Sequence, residues 1–127
     1  MISRRQARRQ ALFLLYQWDL SGSEIGSQYA EEIDGWAKAL AEEAAANAAG
    51  LDERITAASE GWRADRLGVV ERSALRIAIH EIDRGEVPVE VAINEAVAFV
   101  KRYASDEGAR LVNGILGRIQ REEAARR

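Results

Sequence analysis

The chain has no cysteine, a single histidine and a single proline among its 127 residues. Without cysteine it can form neither a disulfide framework nor a thiolate metal site, which fits a reducing compartment. Its one histidine has no second imidazole with which to share a metal ion or a proton relay. The sequence also contains neither a phosphate-binding glycine loop nor a dinucleotide-binding fingerprint. These absences argue against an enzyme, so we expect no catalytic residue, no metal site and no cofactor.

Long apolar runs are also missing. No stretch approaches the ~18 apolar residues of a membrane span, and the FLL after the first arginines is too short for the core of a signal peptide. Apolar residues still make up 47% of the chain, which suffices for a core and argues against wholesale disorder. Chains of this size bury roughly two thirds of their surface on folding. We therefore expect a cytoplasmic protein without a membrane segment, folded as a single domain over residues 1–127.

Strand signals are scarce, whereas helical periodicity is present almost throughout the sequence. Capping residues and glycines divide the pattern into six helices. The expected helices run from Ser3 to about Leu20, Gln28 to Asn47, Asp52 to Trp62, Leu67 to Asp83, Pro88 to Ala104, and onward from Ser105 or Asp106. Gly50 is the expected stop after the second helix. The sequence thus predicts an all-α fold, a compact domain of about six to seven helices in two packed sub-bundles.

Charge is distributed unevenly along the chain. Residues 1–18 hold four arginines and no acidic residue, whereas the remainder holds 14 basic and 21 acidic residues. Sixteen of the 18 basic residues are arginine, whose planar fork of donors suits phosphate and whose guanidinium stacks on bases. A basic segment on an acidic body is typical of a protein that presents one patch to a polyanion.

Helical spacing places the opening arginines on a row that changes character along the first helix. Residues four apart lie nearly above one another, and one such row consists of Arg4, Arg8, Leu12, Tyr16 and Leu20. Its cationic start matches phosphates, and its apolar end resembles a protein contact. A second row, expected to face the core, consists of Ala7, Ala11, Leu14, Leu15 and Trp18. From the helix alone, a merely solvated basic face remains an equal alternative.

The second half of the chain resembles the family of the transcription antitermination factor NusB. The resemblance rests on VPVEVAINEAV, the pair Leu75-Arg76 with Glu81 after it, the closing LVNGIL, and the opening RRQARRQALFLLYQW. It covers most of the chain and is weak between about Ser21 and Ala49. The resemblance implies an all-α RNA-binding factor that binds boxA-type single-stranded RNA of ribosomal RNA operons. Its implied partners are a NusE-type ribosomal protein and the antitermination complex on RNA polymerase.

The resemblance also implies site residues. For RNA it implies the first-helix arginines Arg4, Arg5 and Arg8, which Arg9 flanks, and the turn before the last helix, namely Ser105, Asp106, Glu107 and Arg110. For the NusE-type protein it implies Tyr16, Leu20 and Glu81. The sequence departs from the family pattern at His80, Gly108 and Leu111, where Tyr, Ser and Phe are common, and at Arg9. The turn therefore has fewer side-chain donors than is usual.

Two distinctive motifs are better explained by packing than by chemistry. In VAINEAV, helical spacing predicts a core face of Val91, Ala92, Ala96, Val97 and Val100. Asn113 and Gly114 of VNG are expected to allow close helix packing.

Two alternatives to the RNA-binding factor remain. One is a helical adaptor that binds proteins only, with its arginines solvated. The other is the RNA-binding domain of a ribosomal RNA methyltransferase, for which a chain ending at Arg127 has no cofactor-binding sheet. The sequence leaves the oligomeric state open.

Overall fold

The computed structural model describes residues 2–126, and within that range every regular element is helical. The prediction of an all-α fold with six to seven helices is confirmed. A 3-10 turn, Ala64–Arg66, precedes the fourth α-helix. The six α-helices are α1 (Arg4–Ser21), α2 (Gly35–Ala46), α3 (Ala48–Ala58), α4 (Val69–Arg84), α5 (Val89–Tyr103) and α6 (Asp106–Ala125).

Local capping chemistry accounts for most of these boundaries. The Ser3 hydroxyl accepts from the Gln6 backbone N–H while the Gln6 side chain accepts from the Ser3 backbone, a complete capping box. Ser105 caps α6 by accepting from the Gly108 N–H at 2.9 Å. Gly85 ends α4 with φ +69°, a left-handed conformation that few other residues adopt. The predicted starts of α1 and α6 and the stop of α4 are therefore confirmed.

The structure corrects the second and third helices. α2 begins at Gly35 instead of Gln28, because Asp34 caps it by accepting from the Ala37 N–H at 3.0 Å. Gly50 is not a stop, since it lies inside α3. Asp52, predicted to cap the third helix, lies within it and accepts two hydrogen bonds from Arg76, at 2.8 and 2.7 Å. Of these three corrections, only that of Asp52 depends on a side chain from a distant helix.

Helix α4 is the centre of the core. Its residues 73–79 are all buried, and it contacts each of the other five α-helices. α1 and α2 pack together, as do α5 and α6, and both pairs pack on α4. α1 runs antiparallel to α4, because Arg8 pairs with Glu81 at one end and Asp19 with Arg72 at the other. The core face predicted for α1 is confirmed for its first four members, and Trp18 is half-buried.

The two packing motifs give a mixed result. Ala92, Ala96 and Val100 are buried as predicted, whereas Val97 is half-buried. The prediction for Val91 is wrong, because this side chain is 39% exposed.

In VNG the packing explanation is wrong. Asn113 and Gly114 are exposed, and a Cβ built on Gly114 would meet no atom within 4 Å. Nothing in the structure explains why a glycine stands at this position.

Candidate nucleic-acid interface

Three of the four opening arginines are open to solvent at the start of α1. Arg4 and Arg5 are exposed and Arg9 is half-buried. The Arg4 guanidinium lies 4.2 Å from the ring centroid of Trp36, a cation–π contact that holds the side chain against α2. Arg5 Nε lies 3.1 Å from Glu95 Oε1 of α5, yet its side chain remains 68% exposed. These cations are placed on a surface and keep donors free for a ligand.

The fourth arginine, Arg8, is buried against Glu81. Arg8 Nε and Nη2 donate to Glu81 Oε1 and Oε2 at 2.6 and 2.9 Å, and the two side chains are only 4% and 5% exposed. This is the bidentate geometry in which a guanidinium binds a carboxylate most strongly. In this conformation Arg8 offers no donor to RNA and Glu81 no acceptor to a protein. Leu12, next on the same row, is also buried.

The far end of α1 carries the open apolar surface. Leu20 is 62% exposed and Tyr16 is half-buried. Glu81 lies beside Arg8. Arg8 precedes Tyr16 by eight residues, which is about 12 Å along α1. The structure therefore brings Tyr16 and Leu20 together and places Glu81 apart from them, inside the protein.

A network of buried ion pairs holds this far end of α1 on α4. Asp19 Oδ2 lies 2.8 Å from Arg72 Nη2 and 3.1 Å from Arg76 Nη1. Arg76 in turn binds Asp52 of α3, and its guanidinium lies 5.8 Å from the ring centroid of Trp18. Three helices are thereby fixed beneath Tyr16 and Leu20.

Sequence reasoning missed the acidic residue that lies nearer to this end. Glu71 is half-buried in the first turn of α4, next to Arg72, which binds Asp19 of α1. A Cβ built on Gly108 would lie 3.3 Å from the Glu71 carboxyl carbon, so Glu71 also reaches the first turn of α6. The sequence offered one signal for this residue, its place just after Gly68, where a helix begins. The sequence does not show which helices meet there.

The turn before α6 is mostly explained by helix capping. Ser105, Asp106, Glu107 and Arg110 are all exposed. Ser105 is the N-cap, and the two carboxylates stand in the first turn, where the helix dipole favours negative charge. Arg110 is the one cation of the four. The structure thus places all four on the surface, while two of them would repel a phosphate.

The single histidine is part of an ion-pair cluster. His80 Nε2 lies 2.9 Å from Glu43 Oε1, and Arg84 also donates to that carboxylate. The hydrogen bond with His80 is the largest effect on the pKa of Glu43 and lowers it. Burial opposes this effect and Arg84 adds to it, so the pKa lies below its usual value of 4.5. Glu43 and Arg84 line a cavity of about 190 Å³ with Trp36, Leu40, Glu81 and Val87. This cavity brings together ion pairs and apolar walls, without an array of nucleophile and base.

No helix within residues 2–126 is both long and apolar enough to cross a membrane. The same residues contain no group of three or more His, Asp or Glu side chains placed to hold a metal ion.

Comparison with known proteins gives consistent matches over nearly the whole chain. The model of the NusB family matches residues 5–121. The transcription antitermination protein NusB of Solibacter usitatus is 33% identical over 133 residues, covering 96% of this chain and 91% of the relative. That of Heliobacterium modesticaldum is 40% identical over 131 residues, covering 95% of this chain and 64% of the longer relative. Both relatives are transcription antitermination proteins of the NusB type.

A solved structure adds the fold. The crystal structure of the antitermination factors NusB and NusE in complex with double-stranded RNA contains a chain with 31% identity and a TM-score of 0.80. The alignment covers 94% of this chain and 96% of that one. The chain and its solved relative therefore share one helical fold.

Proposed function

Because the chain belongs to the NusB family, we propose that it is an RNA-binding transcription antitermination factor. It binds boxA-type single-stranded RNA of ribosomal RNA operon transcripts together with a NusE-type ribosomal protein. The pair joins the antitermination complex on RNA polymerase in the cytoplasm. Residues 1–127 act in this role as one RNA-binding domain without a cofactor.

The observation that carries the RNA part of this proposal is the set of open arginines at the start of α1. Arg4, Arg5 and Arg9 lie within two turns, and the first turn contains no acidic residue. Positive side chains at a helix N-terminus oppose the helix dipole by roughly 0.3–1 kcal/mol each, and a bound polyanion offsets that cost. Arg110, near the start of α6, is a further exposed cation.

We assign Arg8 and Glu81 a positioning role in place of direct contact. Their buried bidentate pair joins the arginine-bearing end of α1 to the last turns of α4. Either residue could reach a ligand only after the pair had opened, and breaking a buried pair costs about 3–5 kcal/mol. The pair therefore fixes the surface from which Arg4, Arg5 and Arg9 reach the RNA.

The NusE-type protein is proposed to bind at the other end of α1. Leu20 supplies exposed apolar surface there, and Tyr16 combines an apolar ring with a polar tip, as is common at interface hot spots. Glu71 is the acidic residue that the helix arrangement offers at this end, in place of Glu81. A protein-only adaptor would use the same surface, so the RNA measurement below separates the two functions.

The test is the salt dependence of RNA binding. Each phosphate neutralised on a single strand contributes about −0.7 to the slope of log affinity against log salt. Three arginines therefore predict a slope of about −2 for a boxA-like RNA, and Arg5→Gln should make it less steep by about 0.7. Fluorescence anisotropy across a salt series measures both slopes. Binding that ignores salt and the Arg5 substitution would favour the adaptor.

A matched control is available on the same protein. Lys38 is exposed on α2 and pairs only weakly with Glu42, at 3.8 Å. Lys38→Gln removes one positive charge from the chain without touching the arginine surface. It should leave the slope within experimental error, which separates a specific contact from the effect of net charge.

A further inference from the structure

The structure reveals a third row on α1, which sequence spacing did not single out. Arg5, Arg9 and Phe13 lie four residues apart and face α5. Arg5 contacts Glu95 at 3.1 Å, and the Phe13 ring centroid lies 5.2 Å from that of Phe99. This row differs from the Arg4–Leu20 row, whose middle is buried. It therefore forms the open flank of the arginine segment.

Phe13, at the end of this row, packs against Tyr103, the last residue of α5. The Tyr103 ring centroid lies 4.9 Å from those of Phe13 and Phe99, with interplanar angles of 74° and 49°. These aromatic contacts restrict the orientation of the ring. Tyr103 is nevertheless 38% exposed. An aromatic ring is thus fixed in orientation by its neighbours and left open to solvent.

A cation already lies over this ring. The Arg102 guanidinium is 5.4 Å from the Tyr103 ring centroid, and both Arg102 and Lys101 are exposed. Stacked layers in nucleic acids are about 3.4 Å apart, so a base between guanidinium and ring requires about 6.8 Å. Arg102 would have to move outward by about 1.4 Å, which an exposed arginine side chain does readily.

The surrounding charge favours RNA over an acidic or apolar protein surface. Arg102 lies over the ring, Lys101 is exposed nearby on α5, and Arg5 and Arg9 precede Phe13 on α1. Glu95, half-buried beneath Arg5, is the one acid on the facing α5 row. A basic groove with an open aromatic ring is the combination by which proteins hold single-stranded nucleic acid. A purely packing aromatic would need neither the exposure nor the cation over its face.

We propose that Tyr103 is a stacking platform for one unpaired base of the RNA, with Arg102 closing over the base and Arg5 and Arg9 holding the adjoining phosphates. The inference rests on the proposed RNA-binding function and assigns it a base contact. Tyr103 lies two residues before Ser105, so it joins the arginine end of the surface to the turn before α6. The RNA would then run from the arginine end of α1 past Tyr103 toward the turn before α6.

The experiment uses the intact chain and a boxA-like single-stranded RNA of about 12 nucleotides. Loss of one base stack lowers affinity about 5- to 100-fold, so Tyr103→Leu should do so with an unchanged salt slope. Tyr103→Phe keeps the stack and should bind within twofold of wild type. Tyr29→Leu, a tyrosine on the loop before α2, is the matched control and should also bind within twofold.

Abasic substitution identifies the stacked nucleotide. Removing one base at a time should reveal a position that weakens wild-type binding at least fivefold. At that position the same abasic RNA should weaken Tyr103→Leu no further, because the stack is already absent. The inference is overturned if no abasic position weakens wild-type binding in this way. It is also overturned if the loss of affinity from the abasic RNA adds to that from Tyr103→Leu. The first of these outcomes holds even if the variant is unstable.

The outcomes distinguish this inference from the proposed function. A wild-type chain that binds no RNA at low salt removes both. Suppose that RNA binding depends on salt and is weakened by Arg5→Gln, but that a folded Tyr103→Leu variant binds RNA as the wild type does. This result rules out only the stacking platform. If Tyr103→Leu weakens a NusE-type protein and spares RNA, the ring belongs to the protein interface and the inference is wrong.

Discussion

At the scale of single residues, the pairing of Arg8 with Glu81 decides what the opening segment can do. Helical spacing put Arg8 on a row with Arg4 and Tyr16 and could not show which neighbours lie beyond that row. The partner of Arg8 is 73 residues away. Its burial is a property of the α1–α4 contact, which neither helical spacing nor the family resemblance that assigned Arg8 to RNA and Glu81 to a protein could show.

The pair gives a stability prediction that separates positioning from contact. Arg8→Ala leaves the Glu81 carboxylate buried without a partner and should lower the free energy of unfolding by about 3–5 kcal/mol. Replacing both, as Arg8→Met with Glu81→Leu, should recover most of that loss. Urea denaturation of the single and double variants measures the coupling. If Arg8→Ala keeps wild-type stability but binds RNA poorly, Arg8 contacts RNA directly and the positioning role is wrong.

At the scale of helices, the sequence predicted the fold well where the stop and start signals are local. Ser3, Ser105 and Gly85 act within their own turns, so α1, α4, α5 and α6 begin and end near the predicted residues. Gly50 failed as a stop because a glycine with helical backbone and open surroundings costs only about 1 kcal/mol relative to alanine. The alanines on either side sustain α3 through it.

That reasoning predicts opposite effects for the same substitution at two glycines. Gly50 lies in α3 with no atom within 4 Å of a built Cβ, so Gly50→Ala should raise the free energy of unfolding by about 0.5–1 kcal/mol. Gly85 has φ +69°, and Gly85→Ala should destabilise by about 1 kcal/mol or more. Denaturation midpoints of the two variants test the contrast; a destabilising Gly50→Ala would show that α3 is strained there.

At the scale of the whole molecule, α1 presents different chemistry at its two ends. The arginines at its start lie about 16–24 Å from Leu20, since Arg9 precedes Leu20 by 11 residues and Arg4 by 16, at about 1.5 Å each. The sequence predicted this contrast between the two ends of α1. It did not show that Glu81 is buried against Arg8 or that Tyr103 packs on Phe13. Both are contacts between helices, which the order of residues along one helix does not contain.

Two separate ends predict separable effects on binding. Tyr16→Ala should weaken a NusE-type protein by tenfold or more, about 1.4 kcal/mol, and change RNA affinity of the lone protein much less. Arg5→Gln should do the reverse. If RNA and protein strengthen each other, thermodynamic linkage requires equal factors in both directions. Calorimetry on the two binary complexes and on the ternary complex measures all of these; equal losses from a folded Tyr16→Ala would indicate one shared site.

The separation of 73 residues between Arg8 and Glu81 also has a consequence for synthesis. At about 5–20 residues per second, a ribosome needs roughly 4–15 s to add the residues between them. During that interval the Glu81 carboxylate that binds Arg8 has not yet been made. The buried pair that joins α1 to α4 therefore forms only after the last turns of α4 have been synthesised, although α2 is available to α1 much earlier.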